Sequence, residues 1–189
     1  MAARRRKAST MAKLAISLFG PIQVHLDNTQ LPSFRLKKAQ ALLAYLAVEA
    51  ATAHARERLA LLLWPDQPKA LALQSLRQTL FVLRKTVPDM YLHSARTDVQ
   101  FNPQADYYLD VTAFSELVNA CHRHVHSQPG ACIACIERLQ QAVALYRGDF
   151  LEHFVLPESE AFEEWGLLKR EWLRREALDA LYHLAEYYE

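Results

Sequence analysis

Glycine is scarce in this chain, with four residues in 189 against eight prolines. That scarcity excludes collagen-like and low-complexity architectures and leaves little room for a loop-rich one. No apolar run approaches the roughly 20 residues that a membrane span needs. The start, Met1 to Lys7, is basic but no apolar segment follows it, so it is not a secretory signal. Three cysteines without an export signal fit a reducing cytosol, where thiols more often pack or hold metal than form structural disulfides. There is no glycine-rich phosphate loop, no His-Glu-x-x-His pair and no nucleophile elbow, and no acidic pair is spaced around a cleft. The chain therefore reads as a non-enzyme. One further absence is local: no carboxylate occurs between Pro68 and Val87.

What is present is ordinary globular material, 51% hydrophobic and 23% charged, enough for one large domain or two small ones. The net charge of +1 conceals an asymmetry. Residues 1–109 carry 15 Lys and Arg against 7 Asp and Glu, and residues 110–189 carry 7 against 14. Halves of opposite sign suggest two domains with different partners, the basic one facing a polyanion. Arg4, Arg5, Arg6 and Lys7 account for four of the positive charges, and without them the first half is still +4.

Hydrophobic spacing divides the chain further. Residues 1–13 form a basic tail expected to be disordered. Leu14, Ile16 and Leu18 alternate as in a half-buried strand, and Ile22, Val24 and Leu26 repeat the alternation after the Gly20-Pro21 turn. Asp27-Asn28 is a second turn, before a short Gln30–Phe34 segment, so the chain opens on a small antiparallel sheet. The period then becomes helical. Ala39, Leu42, Leu43, Leu46 and Ala47 share one face, and a short helix over Arg56–Trp64 turns Leu59, Leu62 and Leu63 inward. Pro65 stops it. Asp66 is placed to cap a helix over Pro68–Val87, with Pro68 in the tolerated first turn.

That helix turns Leu73, Leu76, Leu80, Leu83 and Val87 to one side and Gln74, Ser75, Gln78, Val82 and Lys85 to the other. A solvated helix of this length usually mixes Glu among its cations. Amides, a hydroxyl and cations without carboxylates instead suit phosphates and base edges. Two helices with a three-residue turn between them suggest a helix-turn-helix. The segment from Met90 to Asn102 then reads as a hairpin with Arg96 at its tip, which completes a winged-helix order over residues 14–103. Asn102–Asp106 is the expected linker.

Residues 110–189 read as all helical. Asp110 caps a helix carrying Phe114, Leu117, Val118 and Cys121 on its stripe. Pro129-Gly130 breaks the chain before a helix from Ala131 to about Tyr146, and one or two long helices follow Pro157. The helix lengths suggest a tetratricopeptide-like unit. The final helix keeps its period to the end, as expected of a fragment of a longer protein. Trp64, Trp165 and Trp172 are expected in packing, "RGDF" as a turn, and the acidic Pro157–Trp165 run as a helix N-terminus.

The segments "FRLKKAQALLAYLA", "RERLALLLWPD", "SLRQTLFVLRK", "DVTAF", "LYRGDFL" and "FEEW" occur in the order found in SARP-type bacterial transcriptional regulators, which the chain resembles from Leu14 onward. The resemblance implies a mainly α fold with a small β component: an OmpR-like winged helix-turn-helix followed by an all-α, tetratricopeptide-like bacterial transcriptional activator domain. It implies a cytoplasmic bacterial regulator, an activator, that binds double-stranded DNA as a homodimer on repeated half-sites. The helical domain would dimerise or contact RNA polymerase, and no membrane is involved. In this sequence the roles fall on Gln74, Ser75 and Gln78 for base edges and on Arg77, Arg84, Lys85 and Arg96 for phosphates. Arg77 and Arg84 have a second reading, as braces of the fold through Asp66 or Glu57. The alternative function is a protein-interaction scaffold in which the helical domain binds a partner and the winged helix is a docking module.

The stretch "CHRHVHSQPGACIAC" raises a separate question. Cys121, His124, Cys132 and Cys135, with His126 as an alternate ligand, make a plausible structural zinc set of three thiolates and an imidazole. Three-residue spacing puts each pair on one helical face. Packed thiols explain the same residues, since Cys121 continues an apolar stripe and Cys132 and Cys135 border Ile136 and Leu139. A redox pair is a third reading. No cofactor is required by the rest of the sequence.

Overall fold

Alternating burial along Leu14–Ser17 (β1) fixes the first strand, with Leu14 and Ile16 fully buried. It pairs antiparallel with β2 (Gln23–Leu26), which pairs with the two-residue β3 (Thr29–Gln30). Asp27 and Asn28 both adopt positive φ, 51° and 63°, the conformation a two-residue hairpin turn demands and Asp and Asn tolerate. The computed structural model describes residues 13–31, 36–124 and 132–189. The basic residues Arg4 to Lys7, most of the segment expected at Gln30–Phe34, and the Pro129-Gly130 break lie outside them.

Helix α1 (Lys37–Val48) buries the five expected positions Ala39, Leu42, Leu43, Leu46 and Ala47. A two-residue strand that periodicity could not reveal, β4 (His54–Ala55), leads into α2 (Arg56–Leu63). Leu59 and Leu63 of α2 are buried, and Leu62 packs partly against the same core. Helix α3 spans Lys69–Thr86, one residue shorter at each end than expected. Asp66 does not cap it. Pro68 occupies the N-cap position, without a side-chain cap. The turn from Trp64 to Pro68 is accordingly longer than three residues. A short 3-10 turn (Asp89–Tyr91) leads to β5 (Leu92–Ser94), which forms a hairpin with β6 (Asp98–Phe101). β4 pairs with β6, so this wing is a three-stranded sheet in the order β4-β6-β5.

Asn102–Asp106 is a tied turn. The Asn102 amide donates to Met90 O and its backbone N–H to Tyr91 O, both at 2.8 Å. The chain then forms β7 (Tyr107–Leu109), which lies parallel to β1, pairing Leu14 with Tyr107 and Ile16 with Leu109. The first sheet therefore has four strands in the order β3-β2-β1-β7 and is mixed, not purely antiparallel.

Three helices complete the chain: α4 (Asp110–His122), α5 (Ile133–Leu145) and a single 29-residue α6 (Glu160–Tyr188). Glu160 and Glu163 lie in the first turn of α6, where the helix dipole favours them. Asp110 is the first residue of α4, not its cap, and its buried carboxylate accepts from Leu18 N, Phe19 N and Val111 N. α5 packs between α4 and α6.

One hydrophobic core runs from β1 and α1 through Phe114, Phe150, Phe162 and Leu173. Trp165 joins it between Tyr45, Phe150 and Phe162. Trp64 is buried as expected, but Trp172 is 43% exposed. A second, smaller cluster holds Cys121, Cys135, Ile136 and Leu139 against Ala180 and Leu184 of α6. Among the described residues no helix is long and apolar enough to cross a membrane.

Candidate nucleic-acid interface

Helix α3 buries Leu76, Leu80, Leu83 and the adjoining Val87, together with Ala72 and Thr79. At 100° per residue this leaves an outward arc running through Gln74, Gln78, Phe81 and Lys85, spaced i, i+4, i+7 and i+11. All four are exposed. Phe81, 61% exposed in the middle of this arc, was absent from the set read from the sequence. Lys85 Nζ lies 4.3 Å from the centre of its ring. The i+7 spacing from Gln74 marks Phe81, but an aromatic is by default assigned to the core.

The other expected residues occupy the rim. Arg77 and Arg84 are exposed on one edge. Arg84 lies 3.5 Å from Asp89, a solvent-exposed pair that leaves its charge available. Neither arginine pairs with Glu57, which binds Lys69 at 2.9 Å. Ser75 is half-buried on the opposite edge and donates to Gln67 Oε1 at 3.0 Å. Ser75 and Gln78 also border a cleft of about 420 Å³, closed on its far side by Lys37 and Lys38 of α1 and by Val155–Glu158. Of the base-contact residues, Gln74 and Gln78 are thus open, and Ser75 is partly occupied.

The wing is drawn to the same edge by a residue the sequence reading passed over. Arg56, at the start of α2, donates to Ser94 Oγ at 2.6 Å and to Ala95 O at 3.0 Å, beside the exposed Arg96. Burial, and then the charges of Arg84 and Arg77, lower the pKa of Arg56 from its ordinary value, while Asp98 opposes. Arg56, Arg77 and Arg84 therefore lie close enough to feel one another's charge, and Arg96 follows the Ala95 carbonyl that Arg56 binds. Arg56 carried no special signal, because its role depends on a contact with a hairpin 38 residues away.

The cysteine cluster lies elsewhere, where α4 and α5 meet. His124 Nδ1, Cys132 Sγ and Cys135 Sγ lie within 4.8 Å of one another. Cys121 is buried beside them but outside that group, its thiol donating to Cys135 O at 3.5 Å. Burial, then the neighbouring thiols, pushes Cys135 up to about 12, and burial raises Cys121. The backbone N–H of Cys135 is the main cause that lowers Cys132. His126 lies outside the described residues.

The segment Leu145–Leu151 is held by specific contacts. Gly148 sits where an added Cβ would come within 3.1 Å of Gly20 Cα and 2.6 Å of Glu152 Oε2. Tyr146 donates to Asp149, Asp149 binds Arg174 at 2.8 Å, and Phe150 is fully buried opposite Phe19. Arg147 reaches Asp110 at 3.5 Å. This loop locks the helical domain onto the end of β1.

The fold and the α3 surface define the class: a winged helix joined to an all-α domain of stacked helices. Residues 109–188 match the bacterial transcriptional activator domain, and with the winged helix ahead of it the chain has the domain order of a SARP-type regulator. The fold is similar to that of Mycobacterium tuberculosis EmbR, solved in complex with a low affinity phosphopeptide, with a TM-score of 0.68 and 23% identity. The likeness covers 89% of this chain and 44% of that one, so the chain spans less than half of the EmbR chain. No curated protein matched the chain.

Proposed function

We propose that the chain is a sequence-specific DNA-binding transcriptional regulator, an activator, that places α3 in a major groove with the wing on the adjoining backbone. The observation that carries this reading is the outward face of α3. It has amides, cations and one aromatic but no carboxylate, and it adjoins Arg56, which ties α2 to the wing. Gln74 and Gln78 suit adenine edges and Phe81 suits a thymine methyl, each good bidentate pair being worth roughly 1–3 kcal/mol of discrimination. Arg77, Arg84, Lys85 and Arg96, joined by Arg56, suit phosphates.

Fluorescence anisotropy on a random double-stranded DNA pool, across a salt series, tests the reading. Binding is expected to weaken steeply with salt, with a slope of about −0.9 per neutralised phosphate. Replacing both Gln78 and Lys85 with Glu is expected to abolish it. Absence of binding at low salt would refute the reading.

The long helix α6 favours a protein partner as well. Leu168, Leu178 and Tyr182 are 65%, 60% and 61% exposed along it, an apolar surface suited to a second copy of the chain on adjacent half-sites or to the transcription machinery. Sedimentation with and without a paired-site duplex separates dimerisation on DNA from dimerisation in solution. A chain that stays monomeric on both would remove the homodimer from the proposal.

A further inference from the structure

The cluster between α4 and α5 takes no part in the DNA reading, and its geometry is that of a ligand set. His124 Nδ1 lies 3.3 Å from Cys135 Sγ and 3.4 Å from Cys132 Sγ. Zinc bonds thiolate sulfur at about 2.3 Å and imidazole nitrogen at about 2.0–2.1 Å, which at the tetrahedral angle sets nitrogen and sulfur about 3.6 Å apart. The two observed distances fall slightly short of that edge, a difference that small side-chain rotations supply. Local structure explains the convergence. Cys132 immediately precedes α5 and Cys135 lies in its first turn, while Cys121 is in the last turn of α4 and His124 just beyond it.

A second observation comes from Arg138, one turn further along α5. Its buried Nη1 lies beside the cluster, and the guanidinium acts on Cys121 through charge and a hydrogen bond and on Cys132 through charge. Three thiolates, a neutral imidazole and a divalent cation sum to one negative charge, which that guanidinium complements. Soft sulfur and imidazole donors select zinc over magnesium or calcium.

We propose that His124, Cys132 and Cys135 bind one zinc ion, with Cys121 turning from the Cys135 carbonyl to complete a closed set of three thiolates and one imidazole. A closed set of this kind staples; it does not catalyse. Here it joins the end of α4 to the start of α5, and so holds the small Cys121–Leu139 cluster against Ala180 and Leu184 of α6.

The test uses the whole chain, reduced and stripped of metal with a chelator. Titration with cobalt(II) is expected to saturate at one equivalent, with the visible bands of a tetrahedral ion and charge-transfer absorption equal to three thiolates. One equivalent of zinc is expected to abolish both, to raise the thermal midpoint, and to lose that effect on adding EDTA. Cys132→Ser, at the accessible rim, is expected to weaken cobalt binding at least 100-fold while leaving the far-ultraviolet dichroism unchanged. Cys121→Ser is expected to lower the charge-transfer intensity to two thiolates, and unchanged intensity would remove Cys121 from the set. No tetrahedral spectrum in a reduced chain of native dichroism would overturn the proposal and leave hydrogen-bonded thiols. Equal cobalt affinity in Cys132→Ser would overturn it too. Neither result bears on DNA binding, which α3 and the wing carry.

Discussion

On the proposed reading, Phe81 serves recognition and not folding. Being largely exposed, with Lys85 Nζ over its ring, it adds little to the core. Phe81→Ala should change stability by no more than about 0.5 kcal/mol, as surface substitutions do. The same change should weaken DNA binding several-fold in anisotropy titrations. A large loss of stability with unchanged affinity would place Phe81 in the fold instead. Asp110 is its opposite. Its carboxylate serves three backbone N–H groups inside the protein, and burial raises its pKa from the ordinary value while those bonds and Arg147 oppose. Asp110→Ala strands three buried donors and should cost about 3 kcal/mol or more in denaturant unfolding, at roughly 1–3 kcal/mol for each buried group left unpaired. Asp110→Asn, which keeps an acceptor, should cost less.

Between elements, the join of α1 to α6 rests on Glu49. It accepts from Trp165 Nε1 and binds Lys169 Nζ, both at 3.0 Å. Burial raises the Glu49 pKa, but the hydrogen bonds from Trp165 and Lys169 outweigh it, with the charges of Lys169 and His54, and the net shift is downward. A carboxylate with a depressed folded pKa stabilises the fold above its unfolded value of about 4.3, and that contribution is lost as pH falls through the folded value. Glu49→Gln should therefore be less stable than wild type at pH 7 by up to about 1 kcal/mol, given the partial exposure of the pair. The gap should close below pH 4. A gap that persists in acid would mean that the substitution acts through packing. Gly148→Ala tests the second join, between the Leu145–Leu151 loop and β1. The added methyl meets the backbone at Gly20, so the loop must shift, and a loss of about 1 kcal/mol or more is expected in thermal or denaturant unfolding.

For the molecule as a whole, one continuous core joins the two parts, so they are expected to unfold together. Asp110 and Phe150 bind the end of β1, β7 completes the first sheet, and Ser159 donates to Leu63 O at 2.8 Å inside the interface. Thermal unfolding followed by tryptophan fluorescence and by far-ultraviolet dichroism should give coincident single transitions. Two separated transitions would show that the winged helix and the helical domain fold independently. The opposite charges of the two halves acquire a second meaning here. Lys38 of the basic half meets Glu158 of the acidic half across the join, so a small part of the asymmetry is spent within the molecule. Arg77, Arg84 and Arg96 stay exposed, available to the polyanion proposed as partner.

Elements longer than two turns were legible in the sequence because periodicity needs length. The buried faces of α1 and α3, the Asp27-Asn28 turn and the acidic start of α6 all lay in local spacing. So did the amide and cation character of α3, because a helix of known phase fixes which residues point outward. The two- and three-residue strands β4 and β7 were not legible, since they exist only by pairing with β6 and β1 far along the chain. For the same reason Arg56 passed unnoticed, and Ser75 was read as open although Gln67 and the cleft occupy it. The sequence placed Cys121, His124, Cys132 and Cys135 near one another. Only the tertiary structure brought His124, Cys132 and Cys135 within 4.8 Å of one another and left Cys121 on the Cys135 carbonyl, because helix phase at two ends of a connection depends on how α4 and α5 pack.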